Sequence, residues 1–250
     1  AATSSSETDF GATALGYSAN AGGANSTAIG REASTRADNA IAIGASARTE
    51  LANAIALGAD ASSEWYGGIA IGGAASTNSG NGIAIGQAAS ATGEGVDAIA
   101  LGNRATSSEG QAIAIGGIAT ASGFGAQALG YQAMATNVGA EAWGYNANAN
   151  GYGSQASGYN SSASGSGSRA SGRLATANGE GAQALGYQAN ASGRSSLALG
   201  LQATANGTAT MALGLHAYAN GFSSTASGLR ATANGEGAQA LGYQANATGR

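Results

Sequence analysis

Small, apolar and polar residues return to the same places every fourteen residues. A unit of the form small-x-Ala-x-Gly closes at Gly16, Gly30, Gly44, Gly58, Gly72 and Gly86. It resumes at Gly102 and closes every fourteenth residue from there to Gly242, giving 17 copies. The single step of 16, from Gly86 to Gly102, places a two-residue insertion near 93–97. With the closing glycine as position 0, position −2 is Ala in every copy, and +3 is Ala in all but one, where Ser161 stands. Positions −4 and +5 are always Gly, Ala, Ser or Thr. Alternation by two assigns side chains to opposite faces of a strand. The pattern therefore predicts two strands per repeat, over about −4 to 0 and +2 to +6, whose small residues face each other at close range. A helix is excluded because glycines at 0 and +7 would interrupt it within two turns.

Position +7 is usually Gly, often within Asn-Gly, as at Asn150-Gly151, Asn178-Gly179 and Asn206-Gly207. Such residues tolerate positive φ, so +7 is expected to carry the tight reversal. Residues 175–191 recur unchanged at 231–247, the mark of an internal duplication. The repeats fill 11–250, behind a lead-in segment at 1–10. The fold expected from this is all-β: a solenoid, or β-roll, of about 17 coils with an alanine interior.

Positions +2, +4 and +6 hold mostly Ser, Thr, Asn, Gln and charged residues and form the expected solvent face. Positions −3 and −1 behave differently. In the first half of the chain they read Ile41/Ile43, Ile55/Leu57, Ile69/Ile71, Ile83/Ile85, Ile99/Leu101 and Ile113/Ile115. This stripe lies opposite the alanine face of the same strand, and a monomer would expose it over many coils. The twelve residues are expected to form the interface with identical chains. From Gln127 onward, −3 is often polar (Glu141, Gln155, Arg169, Gln183, Gln239), and −1 becomes Trp143, Ser157, Ser171 and Ser227 in four copies.

Composition removes most alternatives. Gly makes up 44 of 250 residues, far above the usual share of about 7%, but Pro is absent and no Gly-x-y period exists, which excludes collagen. There is no Cys, hence no disulfide framework, thiol nucleophile or thiolate metal site. The charge of −4 comes from thirteen acids and nine Arg, and no basic patch suits nucleic acid. The acids are concentrated in 1–125, with ten against four Arg; 126–250 carries three acids and five Arg. No apolar run is long enough for a membrane-spanning helix, and no signal peptide opens the sequence, so any membrane anchor is expected outside it.

The stretches Asn25-Ser-Thr-Ala-Ile-Gly30, Asn39-Ala-Ile-Ala-Ile-Gly44 and Asn53-Ala-Ile-Ala-Leu-Gly58 resemble the head repeats of YadA-type trimeric autotransporter adhesins. The resemblance covers roughly 11–250. It implies a left-handed parallel β-roll, three chains around one axis, and display on the Gram-negative outer-membrane surface. It also implies partners: an extracellular-matrix protein (collagen, fibronectin or laminin), a host cell receptor, abiotic surfaces or other bacteria.

Catalytic chemistry has little to work with. The one His, His216, lies on the expected solvent face without a second His or Cys, so neither a triad nor a metal site is expected. Gly-x-Gly-x-x-Ala recurs, as at Gly93 and Gly123, but follows from the repeat phase and lacks βαβ context. No enzyme and no cofactor are expected. Two aromatic groups are candidate ligand contacts. Tyr131, Tyr145 and Tyr159 share position +1 in consecutive coils, in phase with Tyr17, Tyr187 and Tyr243. Glu64, Trp65 and Tyr66 crowd one turn. Against adhesion stand an ice-binding face built from the Ser, Thr and Asn rows, a purely structural spacer, and a β-helix acyltransferase. Arg48, Glu50, Glu64 and Met134 interrupt the polar rows, and the acyltransferase class uses hexapeptide periods and a catalytic His.

Overall fold

The computed structural model describes residues 3–4, 11–94 and 97–249, and the side chains of 11–93 and 97–249. Among the described residues every regular element is a β-strand. The chain divides into two compact units, Ala1–Gly125 and Ala126–Arg250.

Each repeat contributes one three-residue strand at −3 to −1 and a second strand that is two residues long, at +4 to +5, except at Ser90–Glu94 and Thr106–Glu109, where it is longer. In the first unit the three-residue strands run from Thr13–Leu15 through Ile41–Ile43 to Ile113–Ile115. In the second they run from Gln127–Leu129 through Glu141–Trp143 to Gln239–Leu241. Within each unit every strand pairs in parallel with its counterpart one repeat on: Ile41 with Ile55, Ala42 with Ala56, Ile43 with Leu57. The short strands do the same, Asn148 opposite Ser162 and Ala149 opposite Ala163. Both sheets of a unit are thus parallel, and each coil rests on the next, so that each unit is a parallel solenoid, with about 17 coils in the two together.

The strands are shorter than the alternation suggests because both corners hold left-handed residues. At every corner after the closing glycine, position +2 has φ between +51° and +60°, although it is never Gly; Ser46, Gln132, Leu174 and His216 are examples. At the opposite corner, position −5 is left-handed too, as Asn39, Asn53, Gly153 and Gly167 show. The corner after the closing glycine is a four-residue reversal closed by a backbone bond, such as Ala47 N–H to Gly44 O at 3.3 Å, and many of the opposite corners are closed the same way, such as Ser154 N–H to Gly151 O at 3.1 Å. Of the two central residues only the second has positive φ, which is the type II signature. It also turns that residue's N–H along the solenoid axis. Ser46 donates to Arg31 O and Asn39 to Ala24 O, both at 2.8 Å, so the corners carry the ladder from coil to coil as the strands do.

The +7 glycines do not have the positive φ expected of them. Gly151, Gly165 and Gly179 lie outside the left-handed region, and the reversal falls two residues later, at −5. Their role is close approach: a β-carbon on Gly151 would stand 2.0 Å from Gly165 O. The closing glycine carries both demands. Gly44 has φ +136°, and its β-carbon would meet Gly58 O at 2.3 Å.

The interior is what the small-residue columns specify. Ala42, Ala47, Ala128 and Ala133 are fully buried, and the largest fully buried side chains are threonines such as Thr35, Thr49 and Thr77. Some buried hydroxyls pair inside, as Thr35 Oγ1 does with Ser26 Oγ at 3.0 Å. Others, Thr49 Oγ1 and Thr77 Oγ1 among them, have no partner.

Thr3–Ser4 of the lead-in pairs in parallel with Asn20–Ala21; the rest of that segment lies outside the described residues. In the expected insertion, the pairing of Ser90–Glu94 with Thr106–Glu109 shifts register between Ala91 and Glu94. Gly95 and Val96, also in the insertion, lie outside the described residues.

Candidate functional site

In the first unit, Ile41, Ile43, Ile55, Ile69, Ile71, Ile83, Ile99, Leu101 and Ile113 are half-buried in the single chain, and Leu57, Ile85 and Ile115 are exposed. None is fully buried. The reason is the pleat: Ala42 between Ile41 and Ile43 points inward, so its neighbours must point out. Parallel register then stacks Ile41 on Ile55 and Ile43 on Leu57, making two apolar columns with no other part of the described chain over them.

The second unit breaks these columns. Across Glu141–Trp143, Gln155–Ser157, Arg169–Ser171 and Gln183–Leu185, the −3 column becomes a polar row in which Gln155 Nε2 donates to Glu141 Oε2 at 3.1 Å. In the −1 column, Ser157 and Ser171 lie between the bulkier Trp143 and Leu185. A depression of about 180 Å³ results, lined also by Glu141, Gln155 and Arg169.

The tyrosines at +1 form a ladder. The rings of Tyr131 and Tyr145 stack with centroids 5.4 Å apart, and those of Tyr145 and Tyr159 at 5.1 Å. The spacing follows from parallel coils, which set equivalent residues about 4.8 Å apart. Each of the three rings is 46% exposed. The next rung is one that the tyrosine pattern alone passes over: the Arg173 guanidinium lies 5.5 Å from the Tyr159 ring and 5.7 Å from the Tyr187 ring. Its signal in the sequence is phase, since Arg173 occupies +1 between Tyr159 and Tyr187. An arginine between two ring faces is a favourable cation–π rung.

Glu64, Trp65 and Tyr66 are exposed at the opposite corner, in the first unit. Trp65 stands at +7, where most repeats have Gly or a small residue, and is 49% exposed; Tyr66 is 58% exposed. The backbone beneath them is regular: Glu64 N–H bonds Thr77 O at 2.9 Å, and Gly67, with φ +62°, completes the reversal. The structure brings these three together but places them in a different unit from the tyrosine ladder. Nearby, Arg36 of the preceding coil and Arg48 of the same coil both pair with Glu50. Among the described residues no group of His, Cys, Asp and Glu could hold a metal ion.

The fourteen-residue period, the double left-handed corner and the alanine interior can be set beside known proteins. No single curated protein matches the chain. Among solved structures it is similar to the collagen-binding domain of the Yersinia adhesin YadA, at 19% identity over 83% of this chain and 82% of that one. The TM-score is 0.24, so the assignment rests on the repeats instead. The profile of the YadA head domain repeat matches residues 10–33, 36–61, 94–117, 177–203, 191–217, 219–245 and 233–250. These segments amount to more than half of the sequence, and the chain belongs to the family of YadA head domain repeats, the repeats of adhesin heads.

Proposed function

We propose that this chain is the working head of a bacterial surface adhesin, that it acts as a homotrimer, and that its target is an extracellular-matrix protein or a host cell receptor. Family membership supports the adhesin role. The observation that carries the assembly is the Ile/Leu pair of columns from Ile41/Ile43 to Ile113/Ile115, which a single chain leaves open to water. An apolar surface of that extent needs a cover. A cover that follows every coil must have the same period, and an identical chain has it. Display is outside the cell, at the outer-membrane surface, as in the family.

Three parallel copies of a repeating surface suit adhesion because weak contacts add through high effective concentration. Collagen, fibronectin and laminin are the targets to test first. The purified chain is sedimented to establish its mass, then titrated onto each immobilised protein and onto cultured host cells. The expected result is a trimer with saturable binding to at least one of them. A folded trimer that binds none would overturn the matrix and receptor reading in favour of a spacer. A monomer would overturn the assembly.

A further inference from the structure

We infer that in Ala126–Arg250 the face that meets a second copy of this chain is centred on the −1 and +1 columns rather than on −3 and −1. This rests on the homotrimer proposed above and assigns its seam in the second unit.

The apolar surface sits in different columns in the two units. In the first, from Ile41 to Ile115, −3 and −1 are Ile and Leu while +1 reads Ala45, Ala59, Gly73, Gln87, Asn103 and Gly117; the two coils before them carry Thr13 and Thr27 at −3 with Tyr17 and Arg31 at +1. In the second, −3 is polar in every coil except those of Leu197 and Met211, and +1 turns large: Tyr131, Tyr145, Tyr159, Arg173 and Tyr187. The column continues as Leu201, Leu215 and Leu229, each exposed in the single chain. Position −1 stays apolar at Leu129, Trp143, Leu185, Leu199 and Leu213. Position −1 is thus mostly apolar in each unit, and its main apolar neighbour is −3 in the first and +1 in the second. Where −1 loses its bulk, at Ser157, Ser171 and Ser227, +1 supplies Tyr159, Arg173 and Leu229.

Electrostatics favours the same shift. A seam on −3 would bury Glu141 and Arg169, and removing charges from water is costly without close pairing. Arg169 is exposed in the single chain, and among the described residues Glu141 accepts a hydrogen bond from the neutral Gln155. A seam on −1 and +1 leaves both charges at a wet rim. The one charge in the +1 column, Arg173, already lies between two rings.

The occupant follows from the ladder. Both ring faces of Tyr145 and of Tyr159 are taken up, by each other, by Tyr131 and by Arg173, so a sugar or base finds no open face between these rungs. Ring edges repeating about every 5 Å over consecutive coils remain. Another copy of the chain offers apolar groups at that spacing throughout, whereas a compact ligand would cover only a few rungs.

The test places the photo-crosslinking residue p-benzoylphenylalanine singly at positions 145, 159, 155 and 134 of the full chain, with sedimentation of each variant before irradiation. Positions 145 and 159 should give covalent two- and three-chain species. Position 155, in the polar −3 column, should give several-fold less, and position 134, exposed on the other sheet, should give none. A trimer that crosslinks through 155 but not through 145 and 159 overturns this inference and spares the homotrimer. Equal crosslinking at all four positions indicates indiscriminate association and also overturns it. A monomeric chain overturns both.

Discussion

Gly44 and Gly58 approach so closely that a β-carbon on the first would lie 2.3 Å from the carbonyl oxygen of the second. Gly44 also has φ +136°, outside the range of L-residues with side chains. Steric exclusion and backbone strain therefore act on one atom. Gly44→Ala is expected to lose about 3 kcal/mol or more, from strain and overpacking together. Chemical denaturation measures the loss, and hydrogen exchange should show the weakened amides centred on the coils around residue 44, because a solenoid's stability is summed over neighbours. Unchanged stability would show that the coils have room to separate there.

The left-handed corners should respond differently. Leu174 has φ +59°, a conformation that costs an L-residue about 1–2 kcal/mol. Leu174→Gly removes that strain at an entropic cost of roughly 0.5–1 kcal/mol, so it should be neutral to slightly stabilising. Gly153 has φ +57°, and a β-carbon there would find no other atom within 4 Å. Its change to Ala should lose only about 1 kcal/mol. Thermal melts of the three variants should rank Leu174→Gly highest, then Gly153→Ala, then Gly44→Ala. A melt of Gly153→Ala as low as that of Gly44→Ala would contradict the distinction between strain alone and strain with a clash.

Period and face are legible in the residues because they are written in side-chain size. Ala at −2, as in Ala42 and Ala128, can mean little but a narrow interior, and the alternation then sends Ile41 and Ile43 outward. The corners are less legible. Gly and Asn-Gly at +7 point to positive φ there, yet Gly151 is there for closeness to Gly165, and the left-handed residues are at −5 and +2. At +2 the chain places Glu32, Ile118 and Leu174, types that avoid that region. They are held by bonds to the preceding coil, such as Leu174 N–H to Tyr159 O at 2.9 Å. Local propensity could not reveal this, because the restraint comes from a residue in the coil before. Similarly, the Tyr131, Tyr145 and Tyr159 column is readable from phase, but Arg173 reads as a solvated charge until the coils are stacked.

The interior should tolerate no enlargement. Ala128 is fully buried and pairs with Ala142 in the sheet. Ala128→Leu forces a branched four-carbon side chain into a space whose largest fully buried occupants elsewhere are threonines, and should cost about 1–3 kcal/mol or more. Gln132→Leu is the control, since Gln132 is exposed and Leu174 already occupies the same corner position. Circular dichroism melts should separate the two variants clearly. Equal midpoints would contradict the assignment of the −2 column to the interior.

If the Ile/Leu columns of the first unit close against identical chains, charges placed in them should open the assembly. Ile43→Asp combined with Ile71→Asp puts two carboxylates on a dry seam without partners, a strongly unfavourable burial. Sedimentation should show a shift from trimer toward monomer, while far-ultraviolet circular dichroism keeps its β signature because both positions point away from the alanine interior. A variant that stays trimeric at micromolar concentration would place the contact elsewhere. Arg48→Asp, on the opposite sheet, should leave the mass unchanged.

The corner at Glu64, Trp65 and Tyr66 tests whether the first unit carries part of the adhesive surface. Trp65 is large, about half exposed, and stands where most repeats have a small residue, which leaves it projecting from a regular backbone. Projecting Trp and Tyr are the residues that most often dominate binding energy. The described acids of the first unit include Glu32, Asp38, Asp60 and Glu64, and a target with basic segments would gain long-range attraction from them. Trp65→Ala with Tyr66→Ala should then weaken binding to the matrix protein by about tenfold or more, the loss expected of a hot spot, without altering the melting midpoint. Glu64→Gln should act more weakly and chiefly through association rate, with its effect vanishing as salt rises and the Debye length contracts to a few ångströms. Surface plasmon resonance across a salt series separates the two contributions. If the aromatic pair is replaced and binding is unchanged at every salt concentration, the acids and aromatics of this corner serve solubility and backbone packing, and the adhesive contact lies in other coils.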